Sequence, residues 1–307
     1  MTDKKTRMPA NRESVLLYLE RDRQAACALA DELSLTAARV QSHRFPDGEL
    51  KLQLPPDLPA RTVLYASLDD PNEKLVELLL IAGCARSNGA RWVALVAPYL
   101  CYMRQDIAFT PGEAVSQRIV GRFLADLFDA VLTVDPHLHR IQALEDAIPN
   151  REAIALSAAP EIGRMLVKHR PGALLLGPDG ESRAWVAAAA ASAGCDYAVA
   201  SKVRDGDHQV RIALPEVNFS GREVVLVDDM ASTGRTLAQA AELALKAGAL
   251  RVDAAVTHAL FVGDALSVIH AAGVGELWST DSIRHASNRI ALAPLLAGSL
   301  QSLLAGP

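Results

Sequence analysis

The chain is poor in aromatic residues: Phe, Trp and Tyr make up 5% of its 307 residues although 50% are hydrophobic. Its cores must be built from Ala, Leu and Val, the composition of an α/β protein. Cysteine is scarce too. Cys27, Cys84, Cys101 and Cys195 lie far apart with no Cys-x-x-Cys pair, which argues against a zinc site and a disulfide framework and fits a reducing cytoplasm. Long apolar runs are missing: residues 75–84 and 185–193 are too short or too rich in alanine to cross a bilayer. The polar first 13 residues lack the apolar centre of a signal peptide and read as a flexible tail, so no membrane is expected. With a net charge of -5 there is no basic footprint for nucleic acid, and any anion must be held locally.

What is present is concentrated in Glu223-Val-Val-Leu-Val-Asp-Asp-Met-Ala-Ser-Thr-Gly-Arg-Thr236. Val224 to Val227 read as a strand buried on both faces of a parallel sheet, expected to end where charge begins. Asp228 and Asp229 then stand at its carboxyl end, where open α/β sheets place ligands and where carboxylates can accept vicinal hydroxyls or hold a hydrated cation. Ser232, Thr233, Gly234, Arg235 and Thr236 form a tight turn into a helix ended by Gly248. A helix start offers backbone amides and positive dipole to a phosphate, and glycine lets the backbone close around it. The whole string outlines a sugar-phosphate site.

Strand-like runs at 14–18, 63–67, 92–97 and 130–134 alternate with helical stretches at 23–32, 73–88 and 115–127. The rhythm repeats through a helix at 159–168, strands at 173–176, 197–201, 209–213, 252–259 and 276–279, and helices at 183–193 and 265–272. Such alternation predicts an α/β fold of two tandem domains, each a mainly parallel sheet flanked by helices. At 307 residues there is room for two domains of about 150 each. The expected division is a tail over 1–13, an N-terminal domain over 14–150, a C-terminal domain over 151–293, and a helix in 294–307 that returns to the first half.

The Asp-Asp to Thr-Gly-Arg-Thr string resembles the PRPP-binding signature shared by phosphoribosyltransferases and PRPP synthetases. Other segments choose between them. Arg44-Phe-Pro-Asp-Gly-Glu49, Ser67-Leu-Asp-Asp-Pro-Asn-Glu-Lys-Leu-Val-Glu-Leu78, Ala97-Pro-Tyr-Leu-Cys-Tyr-Met-Arg-Gln-Asp106, Thr133-Val-Asp-Pro-His-Leu-His139 and Thr257-His-Ala-Leu-Phe261 resemble successive blocks of the PRPP synthetases, or ribose-phosphate diphosphokinases. The match covers almost the whole chain after residue 14, and simple phosphoribosyltransferases lack these blocks.

The resemblance implies two such phosphoribosyltransferase-like domains. It also implies transfer of the β,γ-diphosphoryl group of ATP to the C1 hydroxyl of ribose 5-phosphate, with Mg²⁺ as cofactor. ATP would meet Phe45, Asp47, Gly48, Glu49, Arg104, Gln105 and His137. Phe45 can stack on adenine while the Asp47-Gly-Glu49 turn accepts from its exocyclic amine, and Arg104 can grip phosphate oxygens in a fork. Ribose 5-phosphate would meet Asp228, Asp229 and residues 232–236. Lys202 and Arg204, two apart on one strand and so on one side of it, would converge on the transferring phosphate as the catalytic cations. His137 and Asp179 would hold the metal; Asp179 is the better donor chemically, since Mg²⁺ prefers oxygen. In this family the Phe45 loop reaches a neighbouring subunit, so a homo-oligomer, at least a dimer, is implied.

Departures from the pattern mark the chain as divergent. Ile107-Ala-Phe-Thr-Pro-Gly-Glu-Ala-Val-Ser116 replaces the basic run that helps form the phosphate-activation site of the common bacterial enzymes, and is closer to the archaeal type. Gly180-Glu-Ser182 replaces a glycine pair, Ser232 stands where many synthetases have Asp, and Arg235 replaces a usual Gly. Two other functions stay open: a non-catalytic, synthetase-associated regulatory subunit, which should have lost the catalytic cations or acidic pair, and a phosphoribosyltransferase, which would need no ATP.

Overall fold

The structure, a computed structural model, describes residues 14–138, 140–141, 143–149, 151–205 and 209–305, with the side chains of 203–211 outside that description. The expected tail over residues 1–13 lies outside it as well.

The N-terminal half begins with β1 (Ser14–Tyr18), α1 (Arg23–Glu32) and β2 (Thr36–Arg39). A hairpin of β3 (Gln41–Arg44) and β4 (Leu50–Gln53) follows, then β5 (Arg61–Tyr65), α2 (Pro71–Ser87) and β6 (Trp92–Ala97). It closes with α3 (Ser116–Leu127), β7 (Ala130–Val134) and β8 (Glu152–Leu156). The C-terminal half runs α4 (Ala159–His169), β9 (Leu174–Gly177), α5 (Arg183–Ala193), β10 (Tyr197–Val199), β11 (Ser201–Asp205) and β12 (Gln209–Ala213). Then come β13 (Glu223–Ala231), α6 (Arg235–Lys246), β14 (Arg251–Ala259), α7 (Ala265–Ala271), β15 (Val274–Thr280), β16 (Asn288–Ile290) and α8 (Ala293–Ala305).

Each half holds a six-stranded sheet, ordered β2-β1-β5-β6-β7-β8 and β10-β9-β13-β14-β15-β16, parallel throughout. The second order repeats the first. In both, the chain turns outward after its first strand and then reverses, so a topological switch point lies between β1 and β5 and another between β9 and β13.

Alternation along the strands explains the layers. Val15 and Leu17 pack with Leu78 and Ile81 of α2 and Leu124 of α3 on one face of the first sheet. Leu16 and Tyr18 pack on the other with Leu29 of α1 and with Leu296, Leu300 and Leu303 of α8. Thus the last helix of the chain completes the core of the first half, and the Arg61 guanidinium donates to the Leu303 carbonyl at 2.8 Å. In the second sheet Val224 and Leu226 face α6 and α7, while Val225 and Val227 face α4 and α5.

The first sheet extends to Leu156, past the expected boundary at residue 150, because β8 pairs in parallel with β7. β13 does not stop where charge begins: it runs to Ala231, since Met230 and Ala231 still pair with His258 and Ala259 of β14. The run expected as one strand at 197–201 is divided, with Ala200 between β10 and the antiparallel β11–β12 pair. Among the described residues no helix is long and apolar enough to cross a membrane.

Candidate functional site

The switch point of the second sheet gathers the acidic residues. Asp179 follows β9, and Asp228 and Asp229 lie near the end of β13, its immediate neighbour in the sheet. Ligands of open α/β sheets bind in the crevice outside such strand ends. Asp179 caps the turn after β9, accepting from the Glu181 amide at 3.0 Å, and its Oδ2 lies 2.7 Å from Lys202 Nζ. Burial alone would lower the Lys202 ammonium, but the Asp179 hydrogen bond and charge raise it above its ordinary value. Lys202 is therefore a cation at neutral pH. Arg204 lies two residues on in β11, its side chain outside the described set.

Asp229 is buried, and its Oδ2 lies 2.6 Å from His137 Nδ1, a residue of the other half. Burial pushes the Asp229 carboxyl up, yet the His137 hydrogen bond and the charges of His137 and His258 outweigh it and hold the group low. Asp228 goes the other way: burial first, then the nearby charges of Asp229 and Asp179, raise it well above the usual range. Three carboxylates crowd one crevice, and burial together with their mutual repulsion disfavours the ionised form of Asp228.

The loop after β13 closes on the expected cradle. Gly234 is the N-cap of α6 with φ +71°, and a Cβ there would lie 2.7 Å from Ile269 Cγ1 and 2.8 Å from Cδ1. The α6 start has no side-chain cap hydrogen bond, which leaves its first-turn amides to face the loop. Asp228 and residues 230–237 line a concavity of about 140 Å³ there, into which Ser232, Thr233, Gly234, Arg235 and Thr236 all contribute.

Ser232 also borders a second cavity of about 420 Å³, lined by Asn72, Tyr99, Tyr102, Arg104, Gln105 and Val262 among others. The two concavities therefore adjoin, the smaller built by the second half and the larger between the two halves. Arg104 crosses between them, with Nη2 2.7 Å from Met230 Sδ of β13. Tyr102, at φ +61°, hydrogen-bonds Asn72. Neither Tyr99 nor Asn72 nor Tyr102 was singled out from the sequence; they sit in quoted blocks, but nothing in their spacing distinguishes cavity lining from core.

Phe45, Asp47, Gly48 and Glu49 lie elsewhere in the same chain. They form the tip of the β3–β4 hairpin, with Gly48 at φ +95°, the Phe45 amide donating to the Glu49 carbonyl at 2.8 Å and the Glu49 amide to Asp47 Oδ1 at 3.1 Å. Gly48 and Glu49 line a groove of about 460 Å³ against Val76 and Leu80 of α2, and Arg44 pairs with Glu73. None of the Phe45 to Glu49 tip lines the Arg104 or Gly234 concavities.

Models of known families match both halves. One described as the N-terminal domain of ribose phosphate pyrophosphokinase matches residues 14–127, and one described as phosphoribosyl transferase domain matches residues 155–266. Ribose-phosphate pyrophosphokinase of Methanopyrus kandleri is 36% identical over 278 residues, covering 90% of this chain and 94% of that protein. The chain belongs to the ribose-phosphate pyrophosphokinase family. Its similarity extends to the family's protein from Sulfolobus acidocaldarius, 32% identical over 83% of this chain and 88% of that one, and from Halobacterium salinarum, 31% identical over 93% and 100%. These relatives bear out the archaeal-type resemblance. The crystal structure of phosphoribosylpyrophosphate synthetase from Mycobacterium smegmatis superposes with a TM-score of 0.81, covering 96% of this chain and 100% of that one at 22% identity, and so shares the fold.

One further cavity, of about 190 Å³, lies outside this site at the switch point of the first sheet and is lined by Arg21, Asp22, Tyr65, Lys74 and Asp281 among others. Burial raises Asp22 there to about 6 against the opposing charges of Arg21 and Lys74. An acid raised above its unfolded value of 3.8 destabilises the fold when ionised, fully above the folded pKa and not at all below the unfolded one. Asp22→Asn should therefore raise Tm at pH 8, by the equivalent of at most about 3 kcal/mol, with the gain fading as pH falls through 6 towards 4. Thermal scans across that range test this; a gain that does not shrink on acidification contradicts it.

Proposed function

We propose that the chain transfers the β,γ-diphosphoryl group of ATP to the C1 hydroxyl of ribose 5-phosphate, giving PRPP and AMP. The observation that carries this reading is the meeting of the two halves at 2.6 Å, His137 of the first against Asp229 at the mouth of the sugar-phosphate loop of the second. An ATP-side cavity and an anion-binding helix start then share an edge at Ser232. The C1 oxygen attacks the β-phosphorus, the bond from that phosphorus to the α,β-bridging oxygen breaks, and AMP leaves; the hydroxyl proton passes to solvent or phosphate.

Phosphoryl transfer of this kind depends mainly on alignment and charge neutralisation. Ser232 to Thr236 would anchor the 5-phosphate on the α6 start, and Asp228 and Asp229 would accept the ribose hydroxyls, leaving C1 turned towards the ATP cavity. Arg104, Gln105 and His137 would hold the phosphate chain of ATP. Lys202 and Arg204 would meet the charge that develops during transfer.

Mg²⁺ fits this donor set. Carboxylates suit a hard cation, and a divalent ion would relieve the repulsion from Asp229 and Asp179 that, after burial, raises Asp228. Among the described residues no cluster of three or more His, Cys, Asp or Glu side chains is placed to hold a metal ion; Mg²⁺ commonly keeps waters and takes substrate phosphates as ligands. Asp179 would hold it, with His137 beside it, and the bound ion would neutralise phosphate charge.

The test is formation of AMP from ATP, Mg²⁺ and ribose 5-phosphate; no AMP with both ligands still binding would favour a regulatory subunit instead. In the same assay inorganic phosphate should change the rate less than twofold. Between Ile107 and Gln117 there is no basic residue, and Glu113 closes that turn on itself, accepting from the Phe109 amide at 2.7 Å and Thr110 Oγ1 at 2.5 Å. A severalfold activation by phosphate refutes this.

The active species is proposed to be at least a dimer. Phe45 is 40% exposed, Val76 50% and Leu79 48%, an apolar strip beside the hairpin tip that a second copy would cover. In that assembly Phe45, Asp47 and Glu49 would complete the neighbour's adenine site. Sedimentation of the active enzyme tests this, and an active monomer excludes it.

A further inference from the structure

Beyond the residues assigned to substrates, the two halves are fastened by a crossing that the reaction has no direct use for. At the end of β14, Thr257 and His258 are both fully buried, at 0% and 1% exposure. Thr257 Oγ1 donates to Asp135 Oδ2 at 2.7 Å, and the same oxygen accepts from the Ala158 amide at 3.0 Å. His258 Nε2 lies 3.1 Å from the Val134 carbonyl and 3.2 Å from that of Asp135. Carbonyl oxygens only accept, so Nε2 carries the proton. Its Nδ1 meets Ser282 Oγ at 2.9 Å, and Ser67 of the first half donates to the Ser282 carbonyl. The Tyr99 ring of the ATP-side cavity stands edge-on to the imidazole at 5.0 Å.

The gripped segment is strained. Asp135 has φ +38°, a conformation costly for a residue with a Cβ unless its surroundings hold it. Two residues later comes His137, whose Nδ1 meets Asp229. On the other side of the crossing, His258 pairs in register with Met230, the residue after Asp229. The same pair of residues in β14 thus holds both the turn that carries His137 and the strand that carries Asp229.

We propose that His258 and Thr257 are positioning residues: by gripping the Val134–Asp135 turn, they set the distance between the ATP-side and ribose 5-phosphate-side half-sites. Both are buried, and the function proposed above assigns neither to a substrate. This rests on the function proposed above, and a misplacement of the order of 1 Å between reacting groups costs about a hundredfold in rate. Their loss should therefore show in turnover and spare the binding of each substrate taken alone.

The experiment compares wild type with His258→Leu, His258→Gln, Thr257→Val and Thr257→Ser, measuring kcat, and by calorimetry Kd for ribose 5-phosphate and for a non-transferable ATP analogue. His258→Leu and Thr257→Val should lower kcat about ten- to a hundredfold with both Kd values within about threefold. His258→Gln, whose amide can donate where Nε2 did, and Thr257→Ser, which keeps the hydroxyl, should recover most of the rate. Unchanged kcat in the Leu and Val variants overturns the proposal; so do Kd values that rise in step with the loss, or Gln and Ser variants as impaired as Leu and Val. If His258→Leu does not fold, the near-isosteric Thr257 pair decides alone. Absence of AMP formation by the wild-type protein would instead sink the underlying function, before any variant is made.

Discussion

Replacing Lys202 with alanine should lower kcat by about a hundredfold, the scale of losing one donor to the transition state, while the Kd for ribose 5-phosphate stays within about twofold. The ammonium lies 2.7 Å from Asp179 at the switch point of the second sheet, with its side chain still 43% exposed. It belongs to β11, not to the 232–236 loop, so its removal leaves the α6 start and Gly234 as they are. Because Asp179 raises it, its charge is present throughout the neutral range and its loss cannot be mimicked by a modest rise in pH. Lys202→Met, which keeps most of the length but not the charge, should resemble Lys202→Ala. Unchanged turnover in both would remove Lys202 from the mechanism.

Gly234→Ala is expected to weaken ribose 5-phosphate binding by more than tenfold and to lower Tm. Two effects add at that residue. A left-handed backbone with a Cβ costs about 1–2 kcal/mol, and the new carbon would sit 2.7 Å from Ile269 Cγ1 and 3.1 Å from the Ala265 carbonyl. Ile269 is fully buried on α7, so it cannot swing aside; the loop itself must shift. A double-mutant cycle with Ile269→Ala separates the two. Ile269→Ala alone should cost about 2–5 kcal/mol of stability, yet together with Gly234→Ala it should restore part of the lost affinity by removing both carbons in the clash. Binding within twofold of wild type in Gly234→Ala contradicts the reading of residues 232–236 as a tight anion cradle.

Much of the fold is legible in the chain because the signals are local. The buried runs 14–18, 92–97 and 130–134 form strands over those residues, and α1 and α5 span the helices expected at 23–32 and 183–193. Some of the strands that escape notice are short or carry no apolar pattern. β3, Gln41–Arg44, is exposed at every position, and β16 has three residues; each exists because a partner supplies its hydrogen bonds. β13 likewise continues through Asp228 and Asp229 only because β14 is long enough to pair with it.

The sequence by itself determined the residue types of the proposed site: the acidic pair, a glycine in the loop before a helix, the cations, and two α/β halves to carry them. Local spacing and side-chain type suffice for that. Only the tertiary structure decided which of these meet. His137 reaches Asp229 across 92 positions and Thr257 reaches Asp135 across 122. Such contacts are set by how two sheets pack and by which strands neighbour each other at a switch point, and no period in the chain encodes them. For the same reason the Phe45 to Glu49 tip, legible as a motif, stands apart from the Arg104 cavity of its own chain. In the proposed dimer, packing between chains would give it a place in a site.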